Sequence, residues 1–241
     1  MSKLLIIGGD TSTGKSTACG KVELPEMGIH IEGLNPNDTF LFNVLQGKPL
    51  SSNFMSLNYN KEHKNIMEGN DYDAIKATLE KISNGKKYKN VIIDDFQYLM
   101  SLDFFSKKDQ TGFTKFAVMG FAVVDLILRL MSKREDLIVY LLTHTDEEVN
   151  DGKTKVKLKT IGRMLDEKFK LAGMFTVLIE AYREWDDIEE VPIYGFRLRA
   201  NSEHSIAKVP IDMFIKDGKH IKNIPNDLAI VEKEIRSNYN I

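Results

Sequence analysis

Gly8-Gly9-Asp10-Thr11-Ser12-Thr13-Gly14-Lys15-Ser16-Thr17, read GGDTSTGKST, is the stretch of this 241-residue chain that decides its fold. It fits G-x-x-x-x-G-K-[ST] at Gly9, Gly14, Lys15 and Ser16. Upstream, Leu4-Leu5-Ile6-Ile7 reads as a buried strand. Downstream, Ser16-Thr17-Ala18 predicts the opening of a helix. Glycines let such a loop wind closely round a phosphate, with backbone N–H groups turned toward it. A helix start adds positive potential. Gly9, Asp10, Thr11, Ser12, Thr13, Gly14, Lys15, Ser16 and Thr17 are therefore the candidate nucleotide cradle. Lys15 is expected on the β/γ-phosphates and the Ser16 hydroxyl on Mg²⁺, which makes ATP and Mg²⁺ the expected ligands.

Working outward, the order is mainly strand then helix. Thr39–Leu45 reads as a second strand and Val91-Ile92-Ile93 as a third, ending in Asp94-Asp95. Asn70 or Asp71 can cap a helix over roughly Tyr72 to Ser83, and residues 111–132 read as a long helix. Leu137–Leu142 is a fourth strand ending at Thr143-His144, and Phe175–Tyr182 a fifth. Tyr194–Arg199 and Ser205–Val209 look like antiparallel strands joined around Asn201-Ser202, and Asn226 can cap a last helix over 227–238. Repeated strand–helix units imply an α/β fold, a mostly parallel sheet flanked by helices, with C-terminal antiparallel strands.

Parallel strands put their C-terminal ends on one edge. The Gly9–Ser16 loop, Asp94-Asp95 and His144 are expected to meet there. One carboxylate, Asp94, can hold Mg²⁺. Asp95 can orient or deprotonate an attacking water. His144 can touch the γ-phosphate or that water. Each has a plainer reading: a solvated acidic turn, and a hydrogen-bonded histidine at a strand end.

Net charge is −2 and 42% of residues are hydrophobic, which excludes a polybasic nucleic-acid binder overall and fits a globular domain. Cys19 is the sole cysteine, which excludes an internal disulfide and fits a reducing compartment. The apolar run Phe121–Met131 is broken by Asp125 and Arg129 and too short to span a membrane. With the first strand at Leu4, no room is left for a signal peptide, and a cytoplasmic location is expected.

After His144, Asp151-Gly152 is a hairpin signal, and Lys153, Lys155, Lys157 and Lys159 alternate with Thr154, Val156, Leu158 and Thr160. Period two puts the lysines on one face of a strand. Such a row can track a phosphate backbone, or simply solvate an edge. Phe96, Tyr98, Phe104, Phe105, Phe113 and Phe116, interleaved with Lys107, Lys108 and Lys115, suit base stacking or core and subunit packing.

GGDTSTGKST, VIIDDFQYL, LIVYLLTH, NPNDTFLFNVLQGKPL (Asn35–Leu50) and YGFRLRANSEHSIAKVPIDMF (Tyr194–Phe214) together resemble phage-encoded RecA-like ATPases grouped with single-strand annealing recombinases. The likeness runs through most of the chain, into Ile224-Pro225-Asn226-Asp227. It implies a RecA-type P-loop NTPase core over residues 1–215, with a C-terminal tail and helix over 216–241. The His144 strand is expected between the P-loop and acidic strands. The resemblance also implies ATP hydrolysis coupled to work on single-stranded DNA, in the cytoplasm of an infected host cell. It implies a homo-oligomer, ring or filament, with a single-stranded-DNA-binding protein as a further partner. A neighbour's cation often completes such sites. Lys208 matches that position, with Arg197 and Arg199 nearby. A surface lysine is its plainer reading.

RecA-like proteins usually carry a catalytic glutamate at the end of the second strand. Here that end reads Val44-Leu45-Gln46, so the base falls to Asp95, with Glu32 as second choice. Two other functions fit the motifs. One is a P-loop kinase for a small acceptor, although Arg163, Arg183, Arg197 and Arg199 are scattered and form no arginine-rich lid. The other is a nucleotide-dependent assembly protein with little turnover.

Overall fold

The structure is a computed structural model that describes the chain apart from residues 110–111, 113, 151–152, 161–168, 189 and 201–204. In chain order the elements are β1 (Lys3–Gly9), β2 (Val22–Leu24), β3 (Ile29–Ile31), β4 (Thr39–Asn43), α1 (Asn53–Asn58), β5 (Ile66–Glu68) and α2 (Tyr72–Gly85). There follow β6 (Asn90–Asp94), α3 (Gln97–Ser106), α4 (Thr114–Met131), β7 (Ile138–Asn150), β8 (Lys153–Leu158), β9 (Val177–Asp186) and β10 (Val191–Arg197). The chain closes with β11 (Ile215–Lys216), β12 (Lys219–His220), β13 (Asn223–Pro225) and α5 (Leu228–Tyr239).

The main sheet runs in the order β13-β10-β9-β1-β7-β6-β4-β5. From β9 to β5 every pairing is parallel, and β10 and β13 add an antiparallel edge. This is the mostly parallel α/β architecture expected, with its C-terminal antiparallel strands. The β7 strand separates the P-loop strand β1 from the acidic strand β6, the order that the sequence resemblance implies.

Near-continuous apolar runs are what a sheet covered on both faces requires. Leu4, Ile6, Val91, Ile93, Val139 and Leu141 face α2 and α4 in one core layer. Leu5, Ile7, Ile92, Ile138, Tyr140 and Leu142 face the other way, into a layer with Met55 of α1 and Leu228, Val231 and Ile235 of α5. The segment beyond residue 216 thus contributes a strand to the sheet and a helix to the core. Among the described residues no helix is long and apolar enough to cross a membrane.

Four local expectations need correction. The helix predicted after the P-loop is a single 3₁₀ turn, Thr17–Cys19, ended by extended Gly20 (φ −124°, ψ 165°). Nucleating a helix is costly, and glycine at 20, β-branched Val22 and Pro25 do not repay it. Packing enforces the reversal. A Cβ on Gly20 would stand 2.6 Å from Met55 Sδ, and one on Gly33 (φ +68°) would stand 2.5 Å from the Gly20 carbonyl carbon. The vacated face is covered by α5, which packs with Ala18 and Cys19.

The second correction concerns the cap of α5. Asp227 caps it through Ala229 N–H, while Asn226 turns away to the P-loop. Third, Ser205–Val209 makes no strand, only a bridge between Lys208 and Leu178. β9 is taken by β10 from Glu180 to Asp186, leaving that edge open at Leu178 alone, and Pro210 has no N–H to extend it. Fourth, β7 does not stop at Leu142 but runs to Asn150, pairing with β8 as a hairpin arm. The Asp151-Gly152 turn, the Asn201-Ser202 junction, Phe113 and Arg163 lie outside the described residues.

Candidate functional site

Strand register brings the expected groups to one edge. Gly9 lies opposite His144, and Asn43 opposite Asp94. Between them opens a cleft of about 340 Å³ whose walls include Thr13, Lys15, Ser16, Lys48, Asp95 and His144.

The P-loop turns through left-handed Ser12 (φ +63°) and Gly14 (φ +82°). At Gly14 a side chain is doubly excluded, since its Cβ would meet Asn226 Nδ2 at 2.3 Å. Asn226 Nδ2 donates to the Gly14 carbonyl at 3.0 Å. Next to it, the Asp227 carboxylate accepts from Glu32 and Gly33 N–H, each at 2.9 Å. The C-terminal segment thus braces the loop and the β2–β3 hairpin.

Lys15 is buried, and its ammonium donates to the Gly9 and Asp10 carbonyls at 2.8 and 2.7 Å. Burial lowers its pKa to about 8 against the pull of Asp94, Asp95 and Asp10. An anion in the cleft offers that cation better partners than two carbonyls.

The Ser16 hydroxyl donates to Asp94 Oδ1 at 2.9 Å. Burial, reinforced by the adjacent Asp95 charge, raises the Asp94 carboxyl to about 6. A hydroxyl touching a desolvated carboxylate is a donor set that fits Mg²⁺, a hard cation with oxygen ligands.

That elevation gives a pH prediction. Below about pH 6 Asp94 holds a proton that a cation must displace, while above it the carboxylate is already ionised. The Mg²⁺-dependent part of nucleotide affinity is expected to be flat above pH 6.5 and to fall about tenfold per unit below 6. Titrations with and without Mg²⁺ from pH 5 to 8 check this. A flat profile across that range would remove Asp94 from the cation site.

Asp95 adopts φ +60°, a conformation aspartate tolerates better than most residues. His144 Nε2 stands 3.9 Å from Asp95 Oδ1, too far for a direct hydrogen bond. Burial and then Lys15 lower the His144 pKa, favouring the neutral imidazole. Glu32 is exposed and is not among the residues lining the cleft.

Lys208 is not in this cleft either. It is exposed and its ammonium donates to the Ala172 carbonyl at 3.1 Å. Arg197 pairs with Glu180, and Arg199 donates to the Pro210 and Met213 carbonyls. The chain's own site therefore receives none of the three.

Sequence reasoning missed Lys48, whose ammonium makes an ion pair with Asp95. Its signal was Leu45-Gln46-Gly47-Lys48, a turn closed by Lys48 N–H to the Leu45 carbonyl at 3.0 Å. Gly47 sits at φ +80°, the value that position of such a turn demands.

A second, more apolar cleft of about 580 Å³ shares Ser12, Gly14 and Thr17 with the first. The β2–β3 hairpin supplies Leu24 and Ile31 to its wall, and β10 supplies Ile193 and Tyr194.

Lys153, Lys155 and Lys157 lie on β8, and Lys159 directly follows it. Its cross-strand partners put Asp146 opposite Lys157 and Glu148 opposite Lys155. Lys157 stands 3.4 Å from Glu148, and Lys159 stands 3.2 Å from Asp146. The face is of mixed charge, and the Lys153 side chain lies outside what the structure describes. Of the aromatics, Phe96 is buried. Phe104 meets Phe105 edge-on and Phe116 at a tilt, with the Lys115 ammonium over its ring, and Tyr98 edges toward His144.

No family model matches the chain, and no curated protein matches it. Among solved structures it is similar to a KaiC-like protein from the hyperthermophilic archaeon Pyrococcus horikoshii, at 14% identity and a TM-score of 0.43. The match covers 84% of this chain and 82% of that one. At this level of superposition nothing about activity follows from the likeness.

Proposed function

We propose that this chain is an ATPase that binds ATP on Gly9–Thr17 and couples its hydrolysis to single-stranded DNA. The observation that carries the nucleotide reading is the convergence of buried Lys15, the Ser16–Asp94 contact and Asp95 on one sheet edge. The loop amides and Lys15 would hold the phosphates. The apolar cleft beside Ser12 and Gly14 would take the base. Mg²⁺, held by Ser16 and Asp94, would supply positive charge at the phosphate oxygens. Asp95 would orient a water, whose oxygen attacks the γ-phosphorus as the bond to the bridging oxygen breaks and ADP leaves. The proton passes to Asp95, with His144 positioned on the same water.

For DNA, what supports the reading is the continuity of β7. The strand that carries His144 at the cleft is the same strand that carries the lysine hairpin. A change at the nucleotide can therefore reach β8 without crossing a flexible joint. The exposed side chains of Phe105, Phe116 and Phe121 support a homo-oligomer, in which Lys208 would act on a neighbour's nucleotide.

Mg²⁺-dependent phosphate release, measured with and without single-stranded DNA over a range of salt, tests both parts. The strand should stimulate release, and its binding should weaken as salt rises. Replacing Lys153, Lys155, Lys157 and Lys159 by glutamine should flatten that salt slope. Stimulation with an unchanged slope would move the DNA surface elsewhere. Release that no DNA affects would favour the assembly-protein reading.

A further inference from the structure

We infer that Lys48 is a phosphate-sensing cation supplied within the chain, which leaves Asp95 for the terminal phosphate of a bound nucleoside triphosphate. This rests on the nucleotide reading above. The Leu45–Lys48 turn starts two residues after β4 ends, and β4 is the immediate neighbour of the acidic strand β6. The turn delivers Lys48 to the end of β6, and three features hold it there.

Gly47 makes the reversal, and no atom would crowd a Cβ there, so only its backbone angle calls for glycine. The Asn43 amide donates to the Lys48 carbonyl at 3.0 Å, tying the turn back to its strand. Pro49 then restricts Lys48 to extended backbone. The side chain is 43% exposed, so unlike buried Lys15 its ammonium can change partner without unpacking the core.

The cleft is lined by two cations, Lys15 and Lys48, and by the Asp95 carboxylate, while Asp94 is buried and bonded to the cleft-lining Ser16. Lys15 lies in the loop, where it meets the phosphates of any nucleotide. Lys48 reaches the cleft from the turn after β4 and has Asp95 as its partner. An Asp95 oxygen held by the Lys48 ammonium is occupied and is not available to accept from a water. A γ-phosphate entering the cleft carries more charge than one carboxylate and competes for Lys48. When Lys48 moves to it, Asp95 is released for the water in the same event. ADP lacks that group and leaves the pair closed. Strand β4, which ends without a carboxylate, is thus followed by a turn whose cation reads the third phosphate.

The test is the ratio of affinities for ADP and for a non-hydrolysable ATP analogue, both with Mg²⁺, in wild type, Lys48→Met, Asp95→Asn and the double variant. Lys48→Met should bind ADP as wild type does and lose about tenfold or more in affinity for the analogue. Asp95→Asn frees Lys48 and should bind the analogue several-fold tighter than wild type. That gain should vanish in the double variant, which a merely structural role for Lys48 would not produce. Lys48→Arg should recover part of the preference. An unchanged ratio in Lys48→Met, with wild type binding both nucleotides, overturns the role of Lys48 alone. Wild type that binds neither nucleotide overturns the nucleotide reading and this one with it.

Discussion

Lys15→Ala is expected to lower phosphate release about 10²–10³-fold and to weaken nucleotide binding, because it removes the cation that meets the developing charge of the transferred group. Folding should survive. Among the described residues the ammonium donates to two loop carbonyls and an adjacent hydroxyl, and burial has already pulled its pKa down to about 8, so the fold gains little from the charge. Melting temperature, nucleotide titration and phosphate release, measured on the same preparation, separate these effects. An unaltered rate would mean that the Gly9–Thr17 loop is not the nucleotide site.

Asp95→Asn is expected to cut turnover about 10²-fold or more while nucleotide binding persists, since it removes the proton acceptor but leaves the phosphate cradle intact. The substitution is isosteric, and asparagine tolerates the left-handed backbone at φ +60° as aspartate does. A rate near that of wild type would send the search for the base elsewhere. Glu32 would then need a neighbouring subunit to bring it to a nucleotide, since in its own chain it lies outside the cleft. The two variants have opposite signatures in binding, one losing nucleotide and the other keeping it, so together they assign the cradle and the base independently.

Sequence alone determined what depends on neighbours along the chain. Gly9, Gly14, Lys15 and Ser16 name a phosphate loop because backbone angles and reach are set within ten residues. Apolar runs ending in Asp94-Asp95 and at His144 name parallel strands, since burial on both faces leaves no room for alternation. Asp71 marks the start of α2 because a cap acts on the next turn, as its contacts with Asp73 and Ala74 show. Tertiary structure decided the rest. Ser16-Thr17-Ala18 has the local makings of a helix start, but Gly20 and Gly33 pack backbone on backbone and α5 fills the space. Asn226 reaches Gly14 across 212 residues, and Asp227 reaches Gly33 across 194. Lys48 meets Asp95 across 47. In sequence an asparagine beside an aspartate is only a choice of cap, and a lysine after a glycine is only a solvated turn. Which group each one faces follows from the strand order of the sheet, and that order minimises exposed apolar area over the whole chain at once.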